Sequence, residues 1–131
     1  MSTHGTIKFT DKRGRVLLSI YNHYDSFYSG LGQVIYDFFS NKENFGNGFE
    51  DTILLFLCHI KEGKPYRIYA TDQDDYQEYN YEIYETEKEL QFTVTKTIFT
   101  FEKDYTDPKL KHEDKLIRGS LEQFKRLLDT E

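Results

Sequence analysis

The spacing of apolar residues changes three times along this chain, and this constrains the fold more than any other feature. Near the N-terminus, apolar residues alternate with polar ones, as at Ile7 and Phe9, which is the period of a β-strand. From Leu31 to Phe39 they recur every three or four positions, which is the period of a helix. A second alternating block and a second helical stripe follow. Separate blocks of strands and helices favour an α+β fold with a mostly antiparallel sheet and helices on one face.

The two alternating blocks predict the strands. A turn at Asp11–Gly14 between two strand-like runs predicts an N-terminal hairpin over Thr6–Tyr24. The second block predicts a short strand at Tyr66–Thr71, an acidic loop at Asp72–Asp75 and further strands from Tyr79 to Phe101. Its alternation changes phase near Lys96 and Thr97, which indicates a turn or bulge there. The polar segment Asp104–Asp114 contains Pro108 and is predicted to be an exposed loop.

The helical stripes predict two central helices, Leu31–Ser40 and Thr52–Glu62, and a C-terminal helix from Leu121. Ser120 and Gln123 have the spacing of a capping box at the start of the last helix. The second helix is predicted to form the centre of the core through four residues: Ile53, Phe56, Leu57 and Ile60. Its segment Ile53–Cys58 is apolar all round, so we expect it to be largely buried, with Cys58 as a core thiol.

Length and composition indicate one globular domain spanning residues 1–131. The 11 Tyr and 11 Phe argue against disorder, and the single Cys excludes an internal disulfide. No apolar run approaches the roughly 20 residues of a membrane span, and residues 1–10 lack the apolar middle of a signal peptide. We therefore expect a cytoplasmic protein with no membrane association.

Charge and ligand spacing exclude further classes. The net charge of −6 disfavours nucleic-acid binding, which needs clustered Lys and Arg. A local basic patch is the weak point of this argument: Lys109, Lys111, Lys115, Arg118, Lys125 and Arg126. The four His residues and Cys58 fit no standard zinc spacing. A calcium loop starting at Asp72 would need Gly at its sixth position and Glu at its twelfth, where this chain has Gln77 and Ile83. No metal and no cofactor is predicted.

The densest group of chemically capable residues follows the first hairpin. If the strand continues past Asn22, His23 and Asp25 share a face, and the carboxylate can orient the imidazole as a general base or a metal ligand. Tyr21 shares that face and is a candidate ligand-binding residue. Three further candidates precede the next helix, where backbone N–H groups could hold an anion: Ser29, Gly30 and Gly32. The alternative is an ordinary strand end followed by a helix cap.

Tyrosines and carboxylates dominate the segment Tyr69–Glu89. Such residues are common at recognition surfaces, and they also suit half-exposed strands; the sequence leaves both interpretations open. An acidic aromatic surface prefers a basic protein partner to nucleic acid. A tyrosine-rich strand at a sheet edge would also allow two copies to pair, so a homodimer is predicted.

The residues Ile20–Asp25 and Ser29–Gly32 resemble a family of small uncharacterised proteins of bacteria, phages and large DNA viruses. The signature of that family reads Ile-Tyr-x-His-x-Asp-Gly-Tyr-Pro-x-Gly-x-Gly. The segments Ser2–Ile7 and Glu78–Ile83 extend the resemblance, whereas Ser26–Tyr28 replaces its Gly-Tyr-Pro. The resemblance implies a viral, phage or bacterial source, with the host cytoplasm as the location if viral. It implies no activity and no cofactor.

These observations predict a small acidic accessory protein that acts by binding a protein partner or itself. The alternative is a small hydrolase or transferase that uses His23 and Asp25 and binds a small ligand near the first helix. Its nucleophile would come from three nearby hydroxyl groups: Ser26, Tyr28 and Ser29.

Overall fold

The structure, a computed structural model, describes residues 3–62, 68–70, 78–101 and 108–130. Six strands in this part of the chain form one sheet: β1 (Gly5–Thr10), β2 (Val16–Asn22), β3 (Ile68–Ala70), β4 (Tyr79–Glu85), β5 (Leu90–Phe101) and β6 (Pro108–Gly119). Their order across the sheet is β3-β2-β1-β4-β5-β6. All neighbouring pairs are antiparallel except β1 and β4, which run parallel. The predicted α+β fold with a mostly antiparallel sheet is confirmed.

The N-terminal hairpin is also confirmed, since β1 and β2 pair antiparallel from Gly5 opposite Asn22 to Thr10 opposite Val16. The side chain of Asp11 organises its turn by accepting hydrogen bonds from the backbone N–H groups of Arg13 and Arg15, both at 2.9 Å. The N–H of Arg15 is the main cause that lowers the pKa of Asp11 below its ordinary value.

The described chain contains three α-helices: α1 (Gln33–Phe39), α2 (Phe49–Lys61) and α3 (Leu121–Leu128). A π-helical turn, Tyr28–Gly32, precedes α1 and occupies the first residues of the predicted Leu31–Ser40 helix. The predicted capping box at the start of α3 is formed, because the side chains of Ser120 and Gln123 each accept from the other's backbone N–H.

The helices lie against one face of the sheet and form the core there. Phe9 on β1 packs edge-on against Phe49 and Phe56 of α2, with ring centroids 6.4 and 5.9 Å apart. Phe92 on β5 stacks on Phe124 of α3 at 5.0 Å. Phe56 and Ile60 are fully buried, which confirms that α2 contributes to the centre of the core.

The burial of α2, the start of β6 and the position of β4 in the sheet differ from the sequence prediction. The segment Ile53–Cys58 is not buried all round: Leu54, Leu55 and Cys58 are exposed, and Leu57 is half-buried. Cys58 is therefore not a core thiol, because it lies on the side of α2 that faces away from the sheet.

The prediction of a loop over Asp104–Asp114 is wrong from Pro108 onward, where β6 begins. Pro108 is the first residue of this strand, a position that tolerates a residue without an N–H donor. The phase change in β5 is a bulge opposite β6, between Ile98 and Phe99. The predicted acidic loop at Asp72–Asp75 lies outside the described residues, and Ile68–Ala70 is the described part of the predicted strand before it.

The tyrosine-rich strand β4 is a central strand between β1 and β5, so it cannot pair two copies edge to edge. Its Tyr79 and Tyr81 are buried on the helix-facing side. On the opposite side of the sheet, Thr6 donates to Asn80 and Thr10 donates to Glu82, both at 2.7 Å. Two tyrosines of the predicted recognition surface, Tyr79 and Tyr81, are thus part of the core.

Candidate functional site

His23 lies at the end of β2 in a partly exposed cluster of aromatic rings. The imidazoles of His4 and His23 stack with their centroids 4.5 Å apart, and Tyr24 meets His23 edge-on at 4.8 Å. A hydrogen bond of 3.1 Å joins the Tyr21 hydroxyl to Nδ1 of His23. The structure therefore brings Tyr21 and His23 together, as strand alternation predicts.

Asp25 does not join this cluster. The strand ends at Asn22, and the backbone of Asp25 turns into the left-handed region with φ of 53°. Its side chain is exposed and forms no hydrogen bond to His23 or to any other described residue. The arrangement in which a carboxylate orients the His23 imidazole is absent from the described chain, where Tyr21 holds Nδ1 instead.

Buried hydrogen bonds fix the loop after β2. The amide Nδ2 of Asn22 donates to the hydroxyl of Ser26 at 2.8 Å and also to the carbonyl of Tyr24. The hydroxyl of Tyr81 donates to the Ser26 carbonyl at 2.7 Å, which ties the loop to the centre of the sheet. Ser26 is fully buried and Tyr28 is 2% exposed, so neither hydroxyl is accessible to a substrate in this conformation. Ser29 is exposed.

The glycines before α1 serve the packing of this loop. The N–H groups of Gly30 and Gly32 both donate to the Phe27 carbonyl, at 3.0 and 3.3 Å. The N–H of Leu31 donates to the backbone carbonyl of Asp25 at 2.8 Å. A Cβ on Gly30 would lie 2.3 Å from the Asp25 carbonyl oxygen, and one on Gly32 would lie 2.6 Å from Leu128. These amides are engaged within the protein, so holding an anion there would require breaking their hydrogen bonds.

A different feature, which the sequence interpretation missed, is the outer face of α2, formed by Leu54, Leu55 and Cys58. Leu54 is 61% exposed and Leu55 is 41% exposed, while Phe56 beside them is fully buried. Positions 54, 55 and 58 follow the i, i+1, i+4 spacing of one side of a helix. The signal was the apolar run Ile53–Cys58 itself, because a helix that is apolar all round needs cover on both sides.

Charged residues flank the outer face of α2 at its two ends. Glu50 and Asp51 lie in the first turn, whereas His59 and Lys61 lie in the last. Carboxylates at the N-terminus and cations at the C-terminus both interact favourably with the helix dipole. The result is an apolar stripe with an acidic end and, at the other end, Lys61 followed by the exposed carboxylate of Glu62.

Two open clefts lie on either side of the loop that leads into α2. The larger, about 450 Å³, has an apolar floor and a charged rim, and we call it the phenylalanine cleft. Its lining includes Phe39, Phe45, Phe49, Leu90 and Leu121, with Lys42, Lys88, Glu85 and Glu89. The smaller, about 400 Å³, is lined by charged residues of the β1–β2 turn, by Glu50 and Glu85, and by part of the loop before α2. Neither His23 nor Asp25 lines either cleft.

Within the described residues, no group of three or more His, Cys, Asp or Glu side chains is arranged to hold a metal ion. None of the helices in this part of the chain has the length and apolar character needed to cross a membrane. Comparison with known protein families, curated proteins and solved structures finds no match to this chain.

Proposed function

We propose that this chain is a non-enzymatic accessory protein that acts as a homodimer, with the outer face of α2 as the contact between copies. The observation that carries the proposal is the exposure of Leu54 and Leu55 on a helix whose other side already forms the core. Contiguous exposed apolar residues mark association sites, because water contact with them is unfavourable.

The exposed apolar stripe of α2 can pair with itself, which favours a second copy as the partner. In a two-fold symmetric pair, residue i of one copy contacts residue j of the second copy, and residue j contacts residue i. An antiparallel pairing of α2 centred near residue 56 places Leu54 of one copy opposite Cys58 of the second copy.

The charges at the two ends of the stripe contribute little to this pairing. The same register places Asp51 opposite Lys61, which is an attractive pair, and Glu50 opposite Glu62, which is a repulsive pair. The contact between apolar residues therefore carries the proposed association.

The enzymatic alternative receives less support from the geometry. The Asp25 carboxylate forms no hydrogen bond to His23, the amides of Gly30 and Gly32 already donate to the Phe27 carbonyl, and Ser26 is fully buried. A binding function requires none of these groups to be rearranged.

Mass measurement in solution tests the homodimer. By light scattering at tens of micromolar, the unaltered chain should have twice the monomer mass, and Leu54→Glu should have the monomer mass. Ile117→Glu is the matched control, since Ile117 is 78% exposed on β6 and should tolerate the charge without loss of the dimer. A monomer mass for the unaltered chain, or equal dissociation by both variants, would contradict the proposal.

The single cysteine offers a second measurement. In the proposed pairing, the two copies of Cys58 lie on adjacent turns of facing helices, within reach of a short thiol-to-thiol cross-linker, since packed helix axes are about 8–10 Å apart. Cross-linking should give a covalent dimer from the unaltered chain and from Ile117→Glu, but not from Leu54→Glu.

A further inference from the structure

We propose that the phenylalanine cleft binds a small organic anion with an aromatic or aliphatic body. This site is separate from the outer face of α2 and from the His23 cluster. The shape of the cleft, the hydrogen bonds in one of its walls and the charges on its rim support this proposal.

The floor of the cleft suits an apolar body. Phe39 and Phe49 are 3% and 8% exposed, and Phe45 packs edge-on against Phe39 with ring centroids 5.9 Å apart. Leu90 and Leu121 extend the apolar surface from the sheet and from the start of α3. A volume of about 450 Å³ lies within the range of small-molecule sites.

The wall formed by the loop before α2 is held in place by its own hydrogen bonds. The N–H of Gly46 donates to the Thr52 hydroxyl at 3.1 Å, and the N–H of Asn47 donates to the Asp51 carboxylate at 2.8 Å. The Thr52 hydroxyl donates in turn to the carbonyl of Gly48 at 2.8 Å. A wall that is already ordered lowers the entropy cost of binding a ligand.

The rim favours an anion. The ammonium groups of Lys42 and Lys88 form no ion pair or hydrogen bond with any residue that the structure describes. Gly48 and Phe49 bring the N-terminal end of α2 to the same cleft, and no side chain caps that end of the helix. Glu85 accepts a hydrogen bond from the N–H of Lys12 at 3.2 Å and keeps its negative charge. Glu85 and Glu89 therefore both oppose an anion, and this gives a test.

Two fluorescent probes that differ by one charged group test the inference. Anilinonaphthalene sulfonate carries an aromatic body and an anionic group, whereas phenylnaphthylamine has a similar body without the charge. Both are titrated into the full chain carrying Leu54→Glu, so that the outer face of α2 does not compete. We expect the anionic probe to bind about three- to tenfold more tightly than the neutral one, the scale of two exposed charge interactions.

Substitutions on the rim then show which residues cause the preference for the anionic probe. The double variant Lys42→Gln/Lys88→Gln should lower the affinity for the anionic probe by about three- to tenfold and leave the affinity for the neutral probe unchanged. Glu89→Gln should raise the affinity for the anionic probe by about twofold. Arg126→Gln is the matched control, because this exposed cation on α3 lines neither cleft.

Amide shifts in NMR spectra locate the bound probe. The amides of Gly46 and Gly48 should shift on titration, and those of Leu55 and Cys58 should not. Equal affinity for the two probes, an equal effect of the control, or shifts confined to α2 beyond its first turn would each overturn the proposal. The homodimer is tested by mass and the cleft by probe binding, so each proposal can fail without affecting the test of the other.

Discussion

The helices α2 and α3 bury their inner faces in the same way, yet their outer faces differ. Phe56 of α2 and Phe124 of α3 are 0% and 1% exposed, and each contacts an aromatic ring of the sheet. The outer side of α3 carries Glu122 and Arg126, which form an ion pair at 4.0 Å, whereas α2 presents Leu54 there. One apolar face is all that folding requires of a surface helix. The second apolar face of α2 therefore points to association rather than to folding.

The largest expected effect tests whether the inner faces are equivalent. Phe56→Ala and Phe124→Ala should each lower the free energy of unfolding by about 3–5 kcal/mol, since each removes a buried ring and leaves a cavity. Urea unfolding of the Leu54→Glu chain, which the proposed dimer contact predicts to be monomeric, measures both costs without a contribution from association. Leu57→Ala should cost less than Phe56→Ala because Leu57 is half-buried. A cost below about 1 kcal/mol for Phe56 alone would break the equivalence.

A smaller effect tests how the two helices begin. The side chain of Ser120 caps α3, whereas the N-cap of α2 is Gly48, which has no side chain to accept a hydrogen bond. Ser120→Ala should lower the free energy of unfolding by about 1 kcal/mol. Ser40→Ala is the control: this exposed serine at the end of α1 donates to the Asp37 carbonyl, and its loss should cost less than about 0.5 kcal/mol. Equal losses would show that the capping box contributes nothing specific.

The smallest effect tests whether the β1–β2 turn, rather than the helices, makes the stability of the protein sensitive to acid. Because the pKa of Asp11 is lowered in the folded protein, its ionised form stabilises the fold above the ordinary pKa of 3.8. That contribution disappears as the pH falls through the lowered folded pKa. Asp11→Asn should therefore reduce the difference between the urea midpoints at neutral and acidic pH. An unchanged difference would assign the acid sensitivity to other carboxylates, including those of α2.

The sequence predicted α3 well and α2 only in part, for a physical reason. The apolar stripe of α3 is narrow and its capping box is local, so both can be recognised from neighbouring residues. The run Ile53–Cys58 has no polar side, and periodicity cannot indicate which side lacks a neighbour. Similarly, the sequence did not predict the start of β6, because a polar edge strand that begins with Pro108 has the composition of a loop.

The candidate site was less predictable than the fold. The pairing of His23 with Asp25 assumed that the strand continues, but β2 ends at Asn22 and Asp25 adopts a left-handed conformation. Tyr21 and His23 do meet, because His23 directly follows the last residue of the strand. The phenylalanine cleft combines residues from four separate segments, so no local pattern could indicate it.

The parallel pairing of β1 with β4 also bears on how the chain folds during synthesis. The hydrogen bond between Thr6 and Asn80 joins residues 74 positions apart. The β1–β2 hairpin can leave the ribosome early, but one edge of β1 stays open until β4 has been translated, and long-range pairing of this kind is slow. We therefore expect the nascent N-terminal half to expose an unpaired strand edge, and hence to depend on chaperones more than the finished protein does.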